Sequence, residues 1–98
     1  MRIEETFNSA CILTCSVETN CPHGGDAGHG GRTTIEFIDE GSTSMSVDGE
    51  DRQGEKISLT FSGDCEAEVL CDALFFAAKE LRRQLDRNQV LDENRIPR

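Results

Sequence analysis

Apolar and polar residues alternate from Ile3 to Val17, which is the pattern of a half-buried β-strand. Ile12 is the one apolar residue on the polar side, and Asn8 and Ser9 mark a bend or bulge that divides the run in two. The alternation therefore predicts β structure over residues 3–17. Its apolar side consists of Ile3, Phe7, Cys11, Leu13, Cys15 and Val17.

Three later segments carry a β pattern and are separated by turn-forming residues. The segments are residues 33–38, 44–48 and 56–62, and acidic, glycine-containing turns separate them at 39–41 and 48–51. Because these connections are short, we expect an antiparallel meander. The polar sides of the strands are rich in small hydroxyl groups, which is typical of a solvated sheet face.

The period changes after Gly63. From Cys65 onward apolar residues recur at steps of three and four, which predicts an amphipathic helix of about six turns. Asp64 is the expected N-cap, with Glu66 and Glu68 near the positive end of the helix dipole. The recurring apolar residues are Ala67, Leu70, Cys71, Leu74, Ala77, Ala78, Leu81 and Leu85.

These elements predict a single two-layer α+β domain over residues 1–88, in which a four-stranded antiparallel sheet is covered on one face by one long C-terminal helix. Residues 89–98 are expected to form a polar, flexible tail. Val69, Phe75 and Phe76 widen the apolar stripe of the helix beyond what one packing partner needs. This favours a homodimer, and the alternative is packing of these residues against the edge strands or the tail.

The charge distribution narrows the class of partner. The formal net charge is −9, and residues 1–78 hold fifteen acids against four bases, while residues 79–98 hold four acids against six bases. An acidic body repels phosphate, which argues against direct binding of nucleic acid and suits a basic protein surface. The alternative is an acidic surface that serves solubility alone.

Localisation follows from what the sequence does not contain. No apolar run approaches the roughly 20 residues that a membrane helix needs. The first ten residues carry acids where a signal peptide needs a basic start and an apolar run. Five cysteines, an odd number, then indicate reduced thiols. We expect a cytoplasmic protein without membrane attachment.

The segment with the most site chemistry is CPHGGDAGHGGR, residues 21–32, which holds five of the nine glycines and both histidines. Consecutive glycines let backbone N–H groups converge on an anion, and Arg32 adds positive charge. Phosphate is the ligand that fits best, and Asp26 and His29 are expected to hydrogen-bond to polar groups of the same ligand. The alternative is a purely structural Ω-type loop. The candidate ligand-binding residues are Gly24, Gly25, Asp26, Gly28, His29, Gly30, Gly31 and Arg32.

Metal binding and catalysis are weaker interpretations of the same segment. The zinc-ligand types Cys21, His23, Asp26 and His29 match no common ligand spacing. Cys21 beside a histidine base would be a sound nucleophile, but the sequence supplies no third orienting group. We therefore expect a protein that is not an enzyme and has no metal or cofactor, with Cys21 as a buried anchor. The other cysteines are expected to be buried as small apolar residues: Cys11, Cys15, Cys65 and Cys71.

The loop resembles a stretch of the form N-C-P-x-G-G-D-x-G-H-G-G-R-T in small uncharacterised proteins of bacteriophages and other mobile elements. The resemblance implies a phage-encoded protein in the host cytoplasm, in a setting where counter-defence factors either dock on a host immune complex or sequester its nucleotide signal. It implies no mechanism. The matching residues are Asn20, Cys21, Pro22, Gly24, Gly25, Asp26, Gly28, His29, Gly30, Gly31, Arg32 and Thr33.

Two hypotheses for function follow. In the first, the chain is a small binding protein, predicted to be dimeric, whose glycine-rich loop holds a phosphate-bearing ligand of the nucleotide type. In the second, it is an acidic inhibitor of a host protein complex, the loop is structural, and acidic turns at Asp39, Glu40, Glu50 and Asp51 face a basic partner. A small zinc-binding structural protein is the remaining alternative.

Overall fold

The computed structural model describes residues 1–22 and 30–95, with side chains described as far as residue 89. The chain divides into two compact units, Met1–Ala67 and Glu68–Arg98. The predicted α+β class, with a four-stranded antiparallel sheet and one long C-terminal helix, is confirmed. A single domain over residues 1–88 stays a prediction. The described elements are β1 (Arg2–Asn8), β2 (Ile12–Thr19), β3 (Arg32–Gly41), β4 (Ser46–Val47), β5 (Glu50–Asp51), β6 (Lys56–Ser62) and α1 (Asp64–Arg95).

The four-stranded sheet has the order β1-β2-β3-β6, and every neighbouring pair is antiparallel. The N-terminal alternating run forms two strands, because the chain turns at residues 9–11 and β1 folds back onto β2. A register shift between Ile12 and Leu13 places Ile12 opposite Gly41. This irregularity accounts for the one apolar residue that broke the alternation.

The segment at residues 44–48 forms a strand outside the main sheet. Ser46–Val47 pairs only with Glu50–Asp51 in a two-stranded ribbon within the described chain. Asp48 and Gly49 connect them with φ values of 52° and 83°, and two positive φ values in succession are what a type I′ hairpin turn requires. The Asp-Gly turn therefore closes this segment on itself, and β3 pairs directly with β6.

One face of the sheet is apolar, as the alternation predicts. Ile3, Val17, Ile35 and Leu59 lie opposite one another in a row across the four strands. Ile35, on an inner strand, is 4% exposed, whereas Ile3, on the edge strand, is 61% exposed. In this row burial is concentrated on β3, since Val17 on the other inner strand is 41% exposed and Leu59 on β6 is 47% exposed.

The opposite face of the sheet carries a polar network centred on Glu36, which we call the Glu36 network. The Glu36 carboxylate accepts from Arg2 Nη2 at 2.7 Å, from Ser16 Oγ at 3.3 Å and from Ser58 Oγ at 3.1 Å. Lys56 Nζ lies 3.6 Å away, and the Glu36 side chain is only 12% exposed. The hydrogen bond from Arg2, aided by Ser58 and Lys56, lowers the pKa of Glu36 to about 2 despite burial. The centre of the predicted solvated face is thus enclosed by its own side chains.

Helix α1 differs from the prediction at both ends. The Ala67 N–H donates to the Gly63 carbonyl at 3.2 Å, so Gly63 holds the N-cap position predicted for Asp64. The helix continues beyond Asn88 to Arg95 because no glycine or proline interrupts it before Pro97. No helix in the described part of the chain is both long and apolar enough to span a membrane.

Candidate functional site at the base of the glycine-rich loop

The glycine-rich segment connects two directly paired strands whose ends are tied together. Thr19 and Thr33 face each other across β2 and β3, with their hydroxyl oxygens 2.7 Å apart. The Arg32 N–H donates to Asn20 Oδ1 at 2.8 Å, and the Asn20 N–H donates to the Arg32 carbonyl at 3.3 Å. The Cys21 N–H donates to Thr19 Oγ1 at 3.1 Å. These hydrogen bonds therefore close the hairpin at the two ends of the glycine-rich segment.

Gly63, the residue before α1, joins this base. Its N–H donates to the Gly31 carbonyl at 2.9 Å, and Cys21 Sγ donates to the Gly63 carbonyl at 3.7 Å. The Thr33 hydroxyl lies 3.7 Å from the same sulfur. Cys21 is half-buried, and these contacts fit the anchoring role expected from the sequence. The end of β2, the start of β3 and the residue before α1 together form what we call the loop base, residues 19–21, 31–33 and 63.

The described residues include three of the predicted ligand-binding residues. Gly30 lies in a turn, Gly31 is buried, and Arg32 is the first residue of β3. The exposed Arg32 side chain donates from Nη1 to the Gly31 carbonyl at 3.0 Å, so its guanidinium lies at the loop base. The other predicted residues lie outside the described residues: Gly24, Gly25, Asp26, Gly28 and His29.

Gly63 was not predicted as part of a site, and its conformation accounts for its identity. Its φ of 116° lies in a region that is essentially restricted to glycine. A Cβ there would also require the flexible Glu66 carboxylate to move. We expect Gly63→Ala to lower the free energy of unfolding by about 1–3 kcal/mol, measured by urea denaturation. Gly49→Ala is the matched control, because Gly49 has a φ of 83° and open space around it. A loss at Gly63 no greater than at Gly49 would contradict a constrained loop base.

Metal binding gains no support from the described residues. Within residues 1–22 and 30–95, no three His, Cys, Asp or Glu side chains lie close enough together to hold a metal ion. Three of the zinc-ligand types weighed from the sequence, His23, Asp26 and His29, lie outside that part of the chain.

The other cysteines are less buried than expected. Cys11, Cys65 and Cys71 are exposed, and Cys15 is half-buried. Burial raises the pKa of the Cys15 thiol. Cys11 lies in the turn between β1 and β2, outside the strands that would have covered it. The prediction that these cysteines are buried apolar residues is therefore wrong for Cys11, Cys65 and Cys71.

Asp39, expected on an acidic turn that faces a partner, is 7% exposed. Its Oδ1 accepts from the N–H groups of Gly41 at 2.9 Å and Thr43 at 3.0 Å, and its Oδ2 accepts from the Gly54 N–H at 2.5 Å. Burial by itself raises the pKa of Asp39, but these N–H donors outweigh it and lower the pKa overall. Asp39 therefore holds residues 42–54 against the end of β3, and of the four acids expected to face a partner, Glu40, Glu50 and Asp51 are exposed.

No protein-family model, curated protein or solved structure matches this chain. The polar groups described at the loop base bond to one another: the Asn20 amide oxygen accepts from the Arg32 N–H, and the Arg32 guanidinium donates to the Gly31 carbonyl.

Proposed function

We propose that this chain is a small non-enzymatic binding protein whose glycine-rich loop, residues 21–32, holds a small phosphate-bearing molecule of the nucleotide type. The length of the connection supports this function. Thr19 and Thr33 are directly paired, and two to five residues would suffice to connect paired strands. Thirteen residues, 20–32, lie between them. The sheet does not need this length, and long connections in compact domains usually carry function.

The residue types favour phosphate as the group that is held. Two Gly-Gly pairs supply N–H groups without side chains in the way, and Arg32 places a guanidinium at the loop base. Asp26 and His29 are the residues that would hydrogen-bond to the polar groups of the same ligand. In a phage-encoded protein of the host cytoplasm, such a site would sequester a nucleotide signal of a defence system.

Replacing residues 22–30 by Asn-Gly tests this proposal. We expect wild-type protein to gain at least about 3 °C in melting temperature with a saturating ligand from a panel of phosphate, mononucleotides and cyclic oligonucleotides. The shortened protein is expected to melt within about 2 °C of free wild type and to gain nothing. Arg32→Ala should abolish the gain, and Arg52→Ala, away from the loop base, should keep it. An unfolded shortened protein, or a wild type that no panel member stabilises, would refute the proposal.

The charge of the first unit favours a second function, an acidic inhibitor that docks on a basic surface of a host immune complex. Met1–Ala67 holds thirteen acids and four bases, which accounts for the entire net charge of the chain. The bases Arg2, Arg52 and Lys56 are already engaged in ion pairs with glutamates. Exposed acids therefore dominate this unit, and such a field accelerates association with a basic partner.

Neutralising the acids that are exposed distinguishes the second function from the first. A protein with Glu40→Gln, Glu50→Gln and Asp51→Asn should associate more slowly with a basic host complex, measured by surface plasmon resonance at low and high salt. The salt dependence should flatten as well. Asp39 is left unchanged because its carboxylate is structural. Unaltered kinetics in this variant, together with lost binding in the shortened loop protein, would favour the loop.

A further inference from the structure

Six of the eight apolar residues that recur along α1 are arranged symmetrically about the Ala77–Ala78 peptide bond, the exceptions being Ala67 and Cys71. Leu74 lies three residues before Ala77, Leu81 lies three residues after Ala78, and a further leucine follows four residues outward on each side. Steps of three and four keep all these residues on one side of the helix. We call this set the palindromic seam: Leu70, Leu74, Ala77, Ala78, Leu81 and Leu85.

Most of the palindromic seam is exposed in the single chain. Leu81 is 59% exposed, Leu74 and Leu85 are also exposed, and only Leu70 of the seam is buried. Contiguous exposed apolar side chains of this size are typical of an interaction surface. The two small alanines at the centre let another helix approach closely at that point.

The charges of α1 favour one particular partner. Residues 64–78 carry four acids and no base, whereas residues 79–95 carry five bases and four acids. A second copy in antiparallel orientation places the acidic half of each helix opposite the more basic half of the other. Antiparallel pairing also opposes the two helix dipoles. Parallel pairing would set acid against acid.

We propose that α1 docks a second copy of this chain, with the two helices antiparallel about a two-fold axis between Ala77 and Ala78. Leu74 of each copy then packs against Leu81 of the other, and Ala77 packs against Ala78. A two-fold interface is self-complementary, so it requires a surface that maps onto itself when reversed. The palindromic seam meets this requirement.

Sedimentation equilibrium of the full chain tests the interface. At a chain concentration of about 50 µM, the wild-type protein is expected to have twice the chain mass of 10.8 kDa. Leu81→Asp should raise the dimer dissociation constant at least about 100-fold, because each dimer then buries two carboxylates. Phe76→Asp is the matched control, because Phe76 is 70% exposed but lies nearly opposite the palindromic seam around the helix, and so does not widen the apolar stripe as expected from the sequence. Its dissociation constant should change less than about threefold.

Circular dichroism of both variants checks that α1 still forms. A wild type that is monomeric at 50 µM would overturn the proposal, as would dissociation by Phe76→Asp with no effect of Leu81→Asp.

Energy transfer measures the orientation in wild type and does not depend on either variant. Donor and acceptor dyes are attached enzymatically after Arg98 in separate batches, which are then mixed. In the antiparallel dimer the two Arg95 residues lie about 50 Å apart along the helix axes, at a rise of about 1.5 Å per residue. A parallel dimer would bring them to about 10 Å. With a dye pair whose Förster radius is much shorter than the antiparallel separation, and with acceptor-labelled chains in large excess, weak transfer in a dimeric sample is the expected result. Nearly complete transfer would overturn the proposal.

Discussion

Asp39→Ala is expected to lower the melting temperature by more than about 10 °C, the largest effect of any single substitution considered. The carboxylate accepts three backbone N–H groups, from Gly41, Thr43 and Gly54, and is 7% exposed. Removing it deletes three hydrogen bonds to a charged acceptor, which are stronger than those between neutral groups. The segment 42–54 would lose the hydrogen bonds that hold it against the end of β3. Thermal unfolding followed by circular dichroism at pH 7 measures the change.

Two further variants separate this role from a loss of charge. Glu40→Ala removes the adjacent, exposed acid and should change the melting temperature by less than about 2 °C. Asp39→Asn keeps an oxygen for Gly41 and Thr43 but turns an amide toward the Gly54 N–H, so an intermediate loss is expected. Equal losses for Asp39→Ala and Glu40→Ala would show that charge, and not the hydrogen bonds, is what matters.

The strands of the main sheet could be predicted because a half-buried strand imposes its period on the sequence. The pairing could not be predicted equally well. The segment around Met45 and Val47 has the same alternation as the main strands, and only the competition between local and distant partners decides where it pairs. The Asp48-Gly49 turn favours the local partner, and this leaves β6 to pair with β3.

Glu36 and Asp39 show why buried acids escape a sequence-based prediction. Both occupy positions where a charged residue suits a solvated surface, and their burial depends on donors far away in the sequence. Arg2 on β1 donates to Glu36 on β3 across the intervening strand β2, and the Gly54 N–H donates to Asp39 from the far end of residues 42–54. Only the spacing of Asp39 and Gly41, typical of an Asx-turn, was a local signal.

The sequence indicated the composition of the candidate site but not the geometry of its loop base. Glycine density identified the loop, and Arg32 was correctly placed at its exit. Asn20 and Gly63 were missed as parts of the loop base, because their contacts depend on strand register and on where α1 begins. A glycine directly before a predicted helix was the one available signal for Gly63.

The Glu36 network should make stability fall in acid. The folded-state pKa of Glu36 is about 2, below its ordinary value of 4.5. A lowered folded-state pKa means that the carboxylate contributes its stability above pH 4.5 and loses it progressively as the pH falls toward 2. Glu36→Gln removes this contribution. We expect its melting temperature to lie well below that of wild type at pH 7 and to depend less on pH between 4.5 and 2.

The decisive measurement is thermal unfolding from pH 7 to pH 2, in which the melting temperatures of wild type and Glu36→Gln should converge. Protonated Glu36 and glutamine carry the same charge, so the two melting temperatures should approach each other as the pH reaches about 2. Glu80→Gln is the matched control, because a hydrogen bond from Arg83 likewise lowers the pKa of Glu80 to about 2. That pair is exposed on α1, where ion pairs contribute little, so the control should differ from wild type by less than about 2 °C at any pH. A constant gap between Glu36→Gln and wild type down to pH 2 would contradict the charge-based role of Glu36, since a packing defect does not titrate.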